Sequence, residues 1–191
     1  MQANEEQKQG FYVIEGIDGS GKSTLAQSLS LNIKGLHYET PTNLFKPSQS
    51  FIDRSASAEA QFLFYLSANV QASNDIAALR GNQPVVCVRY IYSTIAYHVA
   101  KGLSFDKAMT IANLVNLETP VKIFLLDVSE PKQIERLSKR GFSEEDKRNF
   151  DKMARIRENY MKLVEIFPNF LVIDTDNLVP GEVLMTVLNY L

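Results

Sequence analysis

Residues 11–24 read FYVIEGIDGSGKST, an aromatic and β-branched run followed by three glycines, an aspartate, a lysine and a Ser-Thr pair. From Gly16 to Ser23 the order satisfies G-x-x-x-x-G-K-[ST] with no element missing. The apolar run predicts a strand. From Lys22 onward, KSTLAQSLSLNIKG places Leu25, Leu29 and Ile33 at helical spacing, with Gly35 as a stop. Between strand and helix, glycines let the backbone curl so that its N–H groups converge on phosphate oxygens. The helix start adds partial positive charge in the same direction. In such a loop Lys22 reaches the β/γ-phosphates, Ser23 helps coordinate magnesium, and Thr24 supports the helix start. Gly16, Asp18, Gly19, Ser20, Gly21, Lys22, Ser23 and Thr24 are therefore the candidate ATP-binding residues. The plainer alternative, a chance glycine turn, leaves the intact motif and its strand–helix setting unexplained. The loop predicts triphosphate binding but no particular reaction, since ATPases, GTPases, transporters and small-molecule kinases share its physics.

Working outward, GLHYE, PVVCV, VKIFLLD and FLVID read as further strands. Helical patterns fall at Ser55–Leu79 (apolar stripe Phe62, Leu66, Val70), YSTIAYHVAKG, FDKAMTIANLVNLE, KQIERLSKR, about Arg148 to Phe167, and Glu182 to Leu191. TPTNLFKPSQSF, with two prolines, reads as a loop, and GFSEEDK as an interruption. Strands separated by crossover-length helices, two of them continuously apolar, predict an α/β fold with a parallel sheet covered on both faces. The expected organisation is a flexible leader over residues 1–9, then a single domain over 10–191 with a lid segment around 139–148.

The chain has 191 residues and a formal net charge of -2, which argues against a broad nucleic-acid-binding surface but not against a local basic pocket. Cys87 is the one cysteine, so an internal disulfide or a cysteine zinc cluster is excluded. MQANEEQKQG lacks signal-peptide character and no apolar run approaches the about 20 residues that cross a bilayer. The expected location is cytoplasmic, without a membrane or nucleic-acid polymer as partner.

Several ordered pieces resemble the thymidylate kinase family of nucleoside monophosphate kinases, from about Phe11 to Leu191. EGIDGSGKST is very similar to that family's opening motif. PVVCVRYIYSTIAYHVAKG resembles its strand, Asp-Arg-aromatic segment, Ser and Ala-Tyr-Gln run. RIRENYMKL resembles its Arg-x-x-Tyr helix, and FLVIDTDN its last strand and base-side loop. The resemblance implies a three-layer P-loop NTPase fold, ATP and Mg2+ as cofactors, a small-molecule nucleotide or nucleoside acceptor, and a homodimer. It implies that Asp18 faces the acceptor sugar and Arg89 contacts phosphate at the transfer site. Glu39 falls near the acceptor or magnesium, so Ser23 and Glu39 are the candidate metal ligands. Phe64 matches a position against the base, while Ser93 and Tyr97 match acceptor-pocket positions.

Each assignment has a plainer rival. Asp18 could stabilise a turn, Glu39 solvate a strand end, Arg89 form a structural ion pair, and Phe64 and Tyr97 pack in the core. His98 stands where the family has an amide: it could donate to a base or simply pack. Lys139, Arg140, Lys147 and Arg148 form a loose basic set, with Arg140 the preferred contact to the transferring phosphoryl group and a solvated helix face the alternative. The catalytic candidates are thus Lys22, Arg89 and Arg140.

Three departures from the family pattern concern the acceptor side and the lid. Val88 replaces the aspartate before the strand-end arginine, Asn69 stands at the apparent position of an acceptor-phosphate arginine, and acids dilute the lid. The leading expectation is ATP-dependent phosphoryl transfer to a nucleoside monophosphate, dTMP or a related pyrimidine nucleotide. Alternatives are a deoxynucleoside or other small-molecule kinase, with Glu39 as base, and a catalytically weak nucleotide-binding regulatory protein.

Overall fold

The computed structural model describes residues 10–191; the leader expected over residues 1–9 lies outside the described residues. Five strands, β1 (Phe11–Gly16), β2 (Leu36–Glu39), β3 (Val85–Val88), β4 (Lys122–Asp127) and β5 (Phe170–Asp174), form one sheet in the order β2-β3-β1-β4-β5. Every pairing is parallel. The phosphate-loop strand therefore sits at the centre.

The helices are α1 (Lys22–Asn32), α2 (Lys46–Ser55), α3 (Ala58–Leu79), α4 (Ile91–Ala100), α5 (Phe105–Ala112), α6 (Glu130–Arg140), α7 (Glu144–Asn149), α8 (Met153–Ile166) and α9 (Pro180–Leu188). They cover both sheet faces, and strand alternation assigns the residues. Phe11, Val13, Val85, Cys87, Ile123 and Leu125 point into one core layer with Phe62, Leu66, Ile95, Ile156 and Leu163. Tyr12, Ile14, Val86, Val88, Phe124 and Leu126 point into the other, with Leu25, Leu29, Val183 and Val187. Two buried faces explain why these strands read as unbroken apolar runs. The fold is the expected α/β one. Among the described residues, no helix is long and apolar enough to cross a membrane.

Several boundaries differ from the sequence expectation. TPTNLFKPSQSF contains the start of α2 rather than a continuous loop, because Pro47 falls in the first helical turn, where its missing N–H costs nothing. Ser57 separates α2 from α3 by capping the latter, accepting a hydrogen bond from Ala60 N at 3.3 Å. GFSEEDK does not merely interrupt helix: Ser143 and Asp146 form a reciprocal capping box that starts α7. A 3-10 turn over Phe150–Lys152 follows, so α8 begins at Met153, later than expected. Helix α5 stops at Ala112 and α9 spans Pro180–Leu188.

Candidate active site

The loop after β1 is shaped by its close contacts and its open ones. A Cβ on Gly16, where φ is +142°, would lie 2.5 Å from the Leu126 carbonyl oxygen, so only glycine fits. At Gly21, with φ +100°, an added Cβ would meet nothing within 4 Å: the backbone here faces open space. Gly21 is also the N-cap of α1, and no side chain caps that helix. The first-turn amides are left for an anion.

The buried Lys22 ammonium donates to Ile17 O at 2.7 Å and lies 3.7 Å from Asp18 Oδ1. Burial first, then the nearby Arg89 charge, lowers its pKa to about 8 against the pull of Asp18 and Glu15. A desolvated ammonium beside uncapped helix amides is suited to phosphate oxygens. Ser20 Oγ, also buried, has no partner among the described residues. These groups, with Ser23 and Thr24, line a cavity of about 770 Å3. The described residues contain no group of three His, Cys, Asp or Glu able to hold a metal unaided. That donor set fits a magnesium ion held chiefly by phosphate oxygens, with Ser23 and Glu39 nearby.

Two residues that the sequence reading missed clasp the loop. Gln133 Nε2 donates to Asp18 O at 2.8 Å, and Arg136 reaches Gly19 O at 3.4 Å and Thr175 Oγ1 at 3.0 Å. Their polar presence on α6 was visible, but not which strand end they would meet.

A second cavity, about 520 Å3, opens on the other side of Arg89. Glu39, Arg89 and Glu145 belong to the walls of both cavities. Arg89 directly follows β3, with φ +63°. Its Nη2 donates to Asp18 Oδ1 and, at 3.2 Å, to the Tyr97 hydroxyl, with the guanidinium carbon 4.7 Å from the Tyr97 ring centroid. Burial pushes the Asp18 carboxyl up. Arg89, Lys22 and the Tyr97 hydroxyl more than offset this and hold it below its usual range. Asp18, Lys22, Arg89 and Tyr97 thus form one charged cluster between the cavities. Val88, where an aspartate was missed, is a buried strand residue bordering the first cavity.

Glu15 supports this cluster from below and was also missed. It is wholly buried, accepting from Tyr90 N at 2.9 Å, Ser93 N at 3.2 Å, Tyr160 OH at 2.9 Å and Ser93 Oγ. Burial raises its pKa although these donors pull the other way. A lone acid inside an apolar strand was the available signal. Because Glu15 holds the backbone from Tyr90 to Ser93, it fixes the turn that carries Arg89. Ser93 stays on the cavity wall, its hydroxyl engaged with Glu15 and Tyr160.

The remaining candidates divide. Phe64 is not in the cavity wall; it packs edge-on against Phe45 and Tyr65, at 5.5 and 5.4 Å. The neighbouring Tyr65 takes the wall position, its hydroxyl tied to Asp53 at 3.0 Å. Asn69 is buried behind the wall, donating to Tyr65 O at 2.9 Å and Thr94 Oγ1 at 2.8 Å. His98 is in the wall. Arg140 borders the first cavity but is paired with Asp146 at 2.5 Å, the same acid that caps α7. Lys139 pairs with Glu135, while Arg148 turns to the second cavity, 3.8 Å from Asp53. Lys147 pairs with Glu144 at the surface, and Arg157 with Asp127.

Burial, and then the Lys101 charge, push the His98 imidazole down to about 4, against the pull of the Thr94 carbonyl. The folded pKa lies below the unfolded one, so between pH 6.5 and 4 the unfolded chain binds the extra proton and stability falls with pH. The expected loss from this residue is about 3 kcal/mol across that window. Urea unfolding of the His98→Gln variant should show a correspondingly flatter acid limb; an unchanged limb would remove His98 as its cause.

A parallel sheet with its central strand feeding a glycine loop, a buried lysine and a helix start defines a P-loop nucleotide-binding protein. The thymidylate kinase family model matches residues 14–183, and the chain belongs to that family. A probable thymidylate kinase of Pyrococcus horikoshii is 31% identical over 180 residues, covering 86% of this chain and 87% of that protein. The thymidylate kinase of Leptospira interrogans serovar Lai is 33% identical over 165 residues, 81% of each chain. In fold, the thymidylate kinase structure from Candida albicans matches with a TM-score of 0.79 at 22% identity, covering 95% of this chain and 90% of that one. That from Ehrlichia chaffeensis matches at 0.70 and 24% identity, covering 94% and 98%.

Proposed function

We propose that the chain transfers the γ-phosphoryl group of ATP, with Mg2+, to a nucleoside monophosphate, dTMP being the leading acceptor. The observation that carries this reading is the position of Arg89. It belongs to the walls of both cavities and shares Asp18 with the phosphate-loop lysine. A donor in the first cavity and an acceptor in the second would meet at that guanidinium, as in-line transfer requires.

Magnesium would supply charge neutralisation on the donor phosphates. The chain's own residues do the rest. Lys22 binds the transferring phosphate, Arg89 orients donor and acceptor, and Arg140 adds positive charge once released from Asp146. Asp18 holds Arg89 and the acceptor sugar. An acceptor that is already a phosphate oxygen needs no strong general base. The second cavity's wall also suits a phosphomonoester: Lys46, Arg89, Lys101, Arg148 and Lys152 are five cations against the three carboxylates Glu39, Asp53 and Glu145. One observation favours a nucleoside acceptor instead, namely that Glu39 reaches both walls as a base would.

The segment around residues 139–148 acts as the lid in this reading, and residues 10–191 as one kinase domain in the cytoplasm. A homodimer formed through helices accompanies it; exposed Phe51 on α2 and Leu63 on α3 offer apolar surface for such contact. Magnesium-dependent ADP release tested with nucleosides and nucleoside monophosphates decides the matter. Turnover of dTMP supports transfer to a monophosphate. Turnover of thymidine or deoxycytidine alone makes the chain a deoxynucleoside kinase, and ATP binding without turnover makes it a regulatory protein.

A further inference from the structure

Three features meet at one buried point: the Glu15 carboxylate on β1, the Tyr160 hydroxyl on α8, and the turn after β3 that carries Arg89. Arg89 is not glycine, yet its φ of +63° lies in the left-handed region, where an L side chain persists only if its surroundings hold it. Its N–H donates to Ile14 O at 3.0 Å, and its carbonyl accepts from Thr40 Oγ1 at 3.1 Å. The next residue, Tyr90, is the N-cap of α4, and its side chain makes no cap. The orphan amides of that helix end are met from elsewhere. Glu15 Oε1 accepts from Tyr90 N at 2.9 Å and Ser93 N at 3.2 Å. These are the N-cap and N3 amides, the pair that a capping box satisfies within one helix. Here a single carboxylate, 75 residues before the N-cap, satisfies both.

Glu15 Oε2 is buried as well and needs donors of its own. It receives the Ser93 hydroxyl and, at 2.9 Å, the Tyr160 hydroxyl. Tyr160 is the donor from outside the turn. Its ring lies in the core layer with Ile156 and Leu163. Asn159 beside it donates to Ala96 O at 3.0 Å, and Arg157 pairs with Asp127 through two bonds of 2.6 Å. These ties fix α8 against α4 and the end of β4, and they hold the phenol oxygen where Oε2 lies.

We infer that Tyr160 is a positioning residue: by completing the Glu15 site it holds the cap of α4, and with it the left-handed turn that aims Arg89 between the two cavities. The inference rests on the reading of Arg89 as the group that meets both donor and acceptor. Tyr160 belongs to neither cavity wall, so its effect on transfer passes through Arg89. Without the phenol, Oε2 keeps Ser93 alone, whose one hydrogen leaves a buried carboxylate oxygen underserved. The carboxylate is then freer to turn, and both cap bonds on Oε1 loosen with it.

A double-mutant cycle in the full chain tests this, with Tyr160→Phe made in the wild type and in Arg89→Met. Phenylalanine keeps the packing and removes only the oxygen. In the wild type, kcat/KM for dTMP should fall roughly tenfold, the worth of one buried hydrogen bond to a charge. Where Arg89 is already gone, the same change should cost less than about twofold. ATP affinity by calorimetry should stay within about twofold, since the loop amides and Lys22 are untouched. Asn159→Ala is the comparison: it loosens α8 from α4 without touching Glu15, so it should lower Tm and cost the same small factor in both backgrounds. Heteronuclear NMR of the Arg89 Nε–H, the signal missing from Arg89→Met, reads the guanidinium without any substrate. Its solvent exchange should quicken roughly tenfold in Tyr160→Phe and not in Asn159→Ala. Equal rate losses for Tyr160→Phe in the two backgrounds, a matching loss of ATP affinity, or unchanged Arg89 exchange in folded Tyr160→Phe overturns the inference. It also falls if Asn159→Ala behaves as Tyr160→Phe does, because the docking of α8 and not the hydroxyl is then responsible. Quickened exchange without ADP release from any acceptor sinks the transfer reading and leaves the placement of Arg89 by Tyr160 standing.

Discussion

Replacing Lys22 by methionine should lower kcat by roughly 10²–10³-fold, while leaving the fold as stable as before or slightly more so. The two halves of that expectation have separate causes. In the free protein the Lys22 ammonium is desolvated, and its charge is partly opposed by Arg89, which is why its pKa falls to about 8. Methionine fills a similar volume without the desolvation cost, and Asp18 keeps its pairing with Arg89. Stability therefore does not depend on the charge. In the proposed transfer it would matter, because the ammonium holds the donor phosphates and neutralises charge as the bond to the leaving group breaks. Single-turnover ADP formation and thermal unfolding measured on the same preparation check both halves. Normal turnover would remove Lys22 from its role; a collapsed Tm would make it a structural residue.

What could be read from the sequence was what is encoded locally. The loop, its strand and its helix lie within a few tens of residues, so glycine spacing and apolar periodicity were enough to place them. The parallel sheet followed from PVVCV and VKIFLLD, whose alternate residues serve two core layers. Contacts between distant segments were not legible. Gln133 and Arg136 clasp the loop from more than a hundred residues away, and nothing in KQIERLSKR marks that face. Among Phe62, Phe64 and Tyr65 the choice of wall residue depends on the phase of α3, and a one-residue difference turns a side chain by about 100°. Family pattern placed Phe64 at the base, whereas the helix phase presents Tyr65. Asn69 read as a lost phosphate ligand; the packing of α3 on α4 instead makes it a bracket for Thr94. Glu15 could have been suspected, because an acid in a fully apolar central strand must find donors.

Arg89→Met should reduce kcat/KM for the acceptor by roughly 10²–10³-fold, and its effect on pH dependence should separate it from a merely structural change. Loss of the guanidinium removes the group that spans both cavities and also changes the balance around Lys22. In the wild type, Arg89 lowers the lysine pKa and competes with it for Asp18. The active form of Lys22 is the protonated one, so kcat/KM for ATP, which reports the free enzyme, should fall as pH rises through about 8. Without Arg89 the like charge is gone and Asp18 turns wholly to Lys22. Both changes favour the protonated lysine, and the alkaline limb should move to higher pH even as the rate drops. A variant that merely misfolds the turn after β3 loses rate without that shift. The Glu15→Gln variant supplies the comparison: its amide cannot accept all of the hydrogen bonds from Tyr90, Ser93 and Tyr160, so it loosens the turn while the Arg89 charge remains. Its rate should fall, and because the Glu15 charge that raised the Lys22 pKa is gone, its limb should move to lower pH, opposite to the Arg89 variant. If the two variants shift the limb equally, Arg89 acts through the shape of the turn and not through its charge.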